Sequence, residues 1–165
     1  MQTPNLNAPD PGILDVLKGY NDRMTISQAV IFFERRGYNI TKTMIQNYIR
    51  VFVLPPPVDR RRYTKNHIFF ILLIDCLKSI YSLDEIRELF APVVAEAFSN
   101  GDPDKNMAGV YKSFCDFYEM KFKLFSTQTK TDREGPFINN LSIAAESVAC
   151  RNYIVNSNSA PKPES

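Results

Sequence analysis

Thr43, Gln46, Asn47 and Arg50 stand at offsets of 0, 3, 4 and 7, so on an α-helix their side chains share one stripe. Gln and Asn carboxamides can pair with both N6 and N7 of adenine, and an Arg guanidinium can fork onto O6 and N7 of guanine or hold a phosphate. Met44, Ile45, Tyr48 and Ile49 make the other side of the same segment apolar. A helix that reads base edges needs this division, with its polar stripe near the N-terminal end. The plain alternative is a solvated polar face, although such faces more often carry Glu and Lys than amides. A second group follows: Pro55, Pro56 and Pro57, then Arg60, Arg61 and Arg62. Prolines fix an extended path without backbone donors. Arginines at its end can reach phosphates, which position a protein on DNA without carrying sequence information. Lys42 and Lys65 flank the two groups and join the phosphate-binding candidates. The alternative for this segment is a basic surface loop.

Other chemistry finds no support in the sequence. No GxSxG, Walker A or HExxH pattern occurs. His67 is the sole histidine, and at the opening of an apolar helix it suits capping or phosphate contact better than general-base work. Asp102 and Asp104 lie in a turn without the remaining ligands of a calcium loop. Cys76, Cys115 and Cys150 are an odd, widely spaced set without a CxxC, which argues against a disulfide framework or a structural zinc site. Buried, unreactive thiols at Cys115 and Cys150 outweigh a metal or redox sensor. The expectation is a protein that is not an enzyme and needs no cofactor or metal.

Helices must position these groups. Thr25 with Gln28 forms a capping-box pattern, and the helix it opens carries Ala29, Val30, Phe32 and Phe33 and stops at Gly37. Thr41 caps the next helix, TKTMIQNYIRV, which ends before Pro55 because proline disfavours a helical residue ahead of it. Two short helices joined by a tight Gly-containing turn give the outline of a helix-turn-helix. Thr64 starts an apolar helix over 65–80, and Ser82 with Glu85 caps another to about Ala97. Ser99 to Asn106 is a polar turn. Beyond it Tyr111, Phe114, Cys115, Tyr118, Phe122 and Phe125 recur at helical spacing. That aromatic stripe is either a dimer surface or the core of a small helical domain. A last helix is expected over 138–155.

Charge is uneven. The chain totals +2, yet from Lys18 to His67 ten basic residues face three acids, a balance of +7 against −5 elsewhere. Such asymmetry suits a polyanion partner for the basic segment. Hydrophobic residues at 44% and charged ones at 23% are ordinary for a folded domain. No run reaches the ~20 apolar residues that span a bilayer, and no signal pattern follows Met1. A cytoplasmic protein without membrane contact is expected.

The ordered series of motifs resembles the DNA-binding domain of the MerR family. The matching stretches are Val53-Leu54-Pro55-Pro56, Arg61-Arg62-Tyr63-Thr64 and Tyr81-Ser82-Leu83-Asp84-Glu85-Ile86. The resemblance is strongest to an uncharacterised, YkrK-like branch from Gram-positive bacteria, a domain of unknown function, through the IQNY, LPPP, RRYT and His series from Ile45 to His67. It covers about residues 18–95. It implies that Tyr48, Arg61 and Arg62 touch the DNA backbone, and that a dimer helix and sensor follow the DNA-binding part. Departures are Gln46-Asn47 where the family has Arg-Tyr, Phe52 where it has Gly, and a shorter wing.

The expected fold is therefore all-α: a MerR-like winged helix-turn-helix with a short Pro/Arg wing, followed by C-terminal helices. The expected divisions are a partly disordered arm over 1–17, the DNA-binding domain over 18–98, a helical dimerisation or sensor region over 99–155, and a disordered tail over 156–165. The expected function is sequence-specific regulation of transcription by a homodimer on double-stranded DNA. Thr43, Gln46, Asn47 and Arg50 would read bases, while Lys42, Tyr48, Arg60, Arg61, Arg62 and Lys65 would hold phosphates. The rival is a protein-interaction module that keeps the fold without binding DNA.

Overall fold

A computed structural model of the protein describes residues 8–100, 106–128 and 136–159. Among these the chain is all-helical: α1 (Gly12–Lys18), α2 (Ile26–Glu34), α3 (Lys42–Arg50), α4 (Lys65–Leu77), α5 (Leu83–Asn100), α6 (Met107–Gln128) and α7 (Pro136–Ser159). The described residues hold no strand, only isolated antiparallel bridges at Met24–Tyr63 and Val58–Arg62. No described helix is long and apolar enough to cross a membrane. The chain divides into two compact units, Met1–Ser113 and Phe114–Ser165.

The helix starts follow local chemistry. Thr25 Oγ1 accepts from Gln28 N (3.3 Å) while Gln28 Oε1 accepts from Thr25 N (2.8 Å). Ser82 and Glu85 repeat the exchange at 3.2 and 2.8 Å. Thr41 Oγ1 accepts from Met44 N at 3.2 Å. Each cap satisfies donors that the first helical turn leaves without partners.

Two helix ends are built alike. Gly37 turns left-handed (φ 78°) after α2, donating to Glu34 O while Tyr38 N returns to Phe33 O. After α3, Phe52 N bonds Ile49 O and Val53 N bonds Tyr48 O, with Phe52 at φ 62°. This double return is a Schellman end, whose left-handed position favours glycine.

In the first unit α4 is central. Every residue from Ile68 to Ile74 is buried, so the helix is covered on all faces. Phe70 meets Phe90 of α5 edge-on at 5.6 Å, and Phe69 meets Tyr111 of α6 at 5.3 Å. Tyr111 is wholly buried, its hydroxyl accepting from Asp10 N (3.0 Å) and donating to Asp10 O (3.2 Å). Asn66 Oδ1 accepts from Met107 N at 3.3 Å. The start of α6 thus belongs to this unit, which runs past the boundary expected at 99. The apolar residues Ile13, Leu14, Val16 and Leu17, whose spacing before Gly19 suits one or two helical turns, form α1, which packs into the unit through Ile13 and Leu17.

The second unit carries the rest of α6 together with α7. Most of its described side chains are exposed, Phe117, Met120 and Phe122 of α6 and Leu141 and Val148 of α7 among them. Helix α7 continues to Ser159, four residues beyond the Val155 expected from sequence. Cys115 is buried, as expected, but Cys150 is exposed: its helix buries little along its length. Of the polar turn expected over Ser99 to Asn106, Ser99 and Asn100 continue α5, and residues 101–105, Asp102 and Asp104 among them, lie outside the described residues.

Candidate nucleic-acid interface

Helix α3 divides as its sequence dictates. Ile45 and Tyr48 are buried; Lys42, Thr43, Gln46 and Arg50 are exposed, and Asn47 is half-buried. Arg50 Nη2 donates to Asn47 Oδ1 at 2.6 Å, so the amide and the guanidinium present one hydrogen-bonded unit.

Opposite stands a small turn. Val58 N donates to Arg62 O (2.7 Å) and Arg62 N returns to Val58 O (2.9 Å). The reversal is made by left-handed backbone at Asp59 (φ 51°) and Arg60 (φ 63°), a conformation Asp accepts more readily than most residues. The stem continues as Tyr63 exchanges both backbone bonds with Met24, at 2.7 and 2.8 Å, immediately before α2. Burial among these groups pushes the Tyr63 phenol above its ordinary pKa.

His67 fastens the segment from below. Its Nδ1 accepts from Thr64 N at 3.0 Å, so Nε2 carries the proton and donates to Pro56 O at 3.0 Å. The ring is wholly buried and edge-on to Tyr63 at 5.6 Å. Capping, one of its two expected roles, is the role it fills.

Turn and helix enclose a common groove. Lys42 and Gln46 of α3 line it with Arg60 and Arg61 of the turn, Tyr63, and Thr25 and Ile26 at the start of α2. Arg62 is exposed on the same turn. Lys42, Arg60, Arg61 and Arg62 have no carboxylate partner among the described residues. Among the described residues, no carboxylate lines the groove. Three cations and two helix N-termini at one concave surface favour an anion.

Two phosphate candidates stand differently. Tyr48 is 4% exposed, and burial raises its pKa, with smaller opposed effects from Lys78 and Asp75. It is a core residue and is not brought to the groove; the apolar side of α3 takes it inward. Lys65 pairs with Asp22 at 3.1 Å. The aromatic stripe also splits. Tyr111 serves the first unit's core, Phe114 and Phe125 are half-buried, and Tyr118 and Phe122 are exposed and stacked at 5.9 Å.

The sequence reading missed Arg23 and Asp59, which pair at 3.3 Å, and the bridge at Met24. An Asp directly after an extended Pro-rich stretch is a turn signal that could have placed the reversal; nothing local marks Met24.

The family model for a domain of unknown function matches residues 18–114, more than half of the chain. The chain belongs to this family, DUF1836. Its matched span ends within one residue of the first compact unit. No curated protein and no solved structure matches the chain.

Proposed function

We propose that the DUF1836 unit is a sequence-specific duplex-DNA-binding module, of the MerR-like winged helix-turn-helix kind, in a cytoplasmic transcription regulator. The groove shared by Lys42, Gln46, Arg60 and Arg61 carries this reading. In it α2 and α3 are the helix pair, α3 enters the major groove, and the Val58–Arg62 turn is a miniature wing. Gln46, Thr43 and the Asn47–Arg50 unit meet base edges, and Lys42, Arg60, Arg61 and Arg62 take phosphates. Lys65 joins them by leaving the exposed Asp22, because surface ion pairs of this kind are worth only ~0–1 kcal/mol.

We further propose that the chain acts as a homodimer through its second unit. Phe117, Tyr118, Met120, Phe122 and Leu124 of α6 leave 37–65% of their surface in water. With Phe137, Ile138, Leu141, Val148 and Tyr153 of α7, also exposed, they offer roughly 1,000 Å² of apolar side chain, taking 150–250 Å² per aromatic. Two copies each covering about half of that area would bury roughly 1,000 Å² in all, the lower end for a specific interface. Pairing also doubles the bases read, which a single recognition helix needs to find one site in a genome.

Selection of bound sequences from a random duplex pool tests this function. Enrichment of one inverted repeat is the expected outcome. No enrichment, with binding insensitive to salt, would favour a module that docks onto protein.

A further inference from the structure

The first unit holds another concavity, which shares no residue with the Lys42/Arg61 groove. It lies between α2 and the segment before it, with a volume of about 180 Å³. Its floor is apolar: Phe32 and Met24 are buried, Ile31 stands exposed at one side, and Tyr20 sits edge-on to Phe32 at 5.1 Å. Among the described residues its charged lining side chains are Arg23 and Arg35, and no carboxylate lines it. Arg35 has no carboxylate partner among the described residues. Among the described residues, Arg23 pairs with the exposed Asp59 at 3.3 Å.

Size, floor and charge together narrow the occupant. A cavity of ~150 Å³ takes a benzene ring, so a body of about six to ten heavy atoms fills this one. An Arg guanidinium recognises a planar carboxylate through two parallel hydrogen bonds. A bare inorganic anion would leave the apolar floor wet. We propose that this cavity binds a small carboxylate with an aromatic or branched apolar body, and that the carboxylate draws Arg23 away from Asp59.

That exchange would reach the Val58–Arg62 turn. Asp59 is one of the two left-handed residues that make the reversal, and releasing it frees the turn from its ion pair with Arg23. Met24 forms the cavity floor and also bonds Tyr63 at the turn's stem, a second link between the same two places. An exposed ion pair is weak, so little is lost when a ligand takes Arg23. The consequence for DNA rests on the proposed function; the binding of a carboxylate does not.

Benzoate, with benzyl alcohol and acetate as controls, tests the site on the full chain by titration followed in amide NMR spectra. Benzoate should bind roughly tenfold tighter than either control, because it alone supplies both the charge-assisted bonds and the apolar body. Arg35→Ala and Ile31→Glu should each weaken it by a similar factor at unchanged melting temperature. Amides of Arg23, Met24 and Asp59 to Arg62 should shift together. Equal binding of benzoate and benzyl alcohol, or no binding, would overturn the site; shifts confined to the cavity would overturn the coupling. A few-fold change of duplex affinity with benzoate, absent in Asp59→Asn, is the expected regulatory result. Benzoate binding with unchanged duplex affinity would overturn that regulation, and benzoate binding by a protein that binds no duplex would count against the DNA reading alone.

Discussion

Phe52 occupies a left-handed position (φ 62°) and leaves 58% of its surface in water. For an L-residue that backbone costs about 1–2 kcal/mol, while glycine costs about 0.5–1 kcal/mol in extra unfolded-chain entropy. The strain is the larger effect, so Phe52→Gly should stabilise the protein by about 0.5–1 kcal/mol. A raised denaturation midpoint at unchanged slope is the expected sign; a lowered one would mean that the exposed ring contributes more than its backbone costs. His67 shows the reverse economy, since its ring satisfies both the Thr64 N–H and the Pro56 carbonyl in the interior. At this scale the polar stripe of α3 was legible, because a spacing of 0, 3, 4, 7 decides which residues share a face. Tyr48 was not, since its type suits a phosphate contact and a core position equally.

Two raised phenols lie in the first unit, Tyr48 on α3 and Tyr63 just before α4, each held above the ordinary value by burial. An unfolded phenol ionises near pH 10, so above that pH the unfolded chain holds fewer protons than the folded one. Stability from these two groups is therefore complete below about pH 10 and is lost as pH climbs through their folded values. Denaturant melts at rising alkaline pH should show this decline, and the Tyr48→Phe, Tyr63→Phe double variant should show a shallower one. An equally steep fall in the double variant would place the alkaline sensitivity elsewhere. Elements were the most legible level: the Thr25–Gln28, Thr41 and Ser82–Glu85 starts all came from short-range hydrogen-bond chemistry. The turn's reversal and its bridge to Met24 did not, because pairing residues 24 and 63 is a long-range choice that local pattern does not encode.

The whole molecule falls into a packed unit and an exposed one, and the place of division carries a prediction. A fragment ending at Phe114 keeps Met107 and Tyr111 in the core, so it should fold and sediment as a monomer, while the full chain sediments as a dimer. A fragment ending at 98 loses Tyr111 as well, which on the scale of large aromatic deletions costs about 3–5 kcal/mol. A full chain that remains monomeric at micromolar concentration would remove the dimer from the account. This boundary was hidden in the sequence because Tyr111 and Tyr118 share one helical stripe yet only Tyr111 is buried. The groove of Lys42, Gln46, Arg60 and Arg61 should hold duplex DNA. Binding of the full chain to a selected duplex across a salt series tests it most directly. Four or five phosphates neutralised per chain predict log K falling against log salt with a slope of about −4 for each chain, and Arg61→Ala should reduce that slope by about one. A slope near zero, or one that Arg61→Ala leaves unchanged, would contradict the claim.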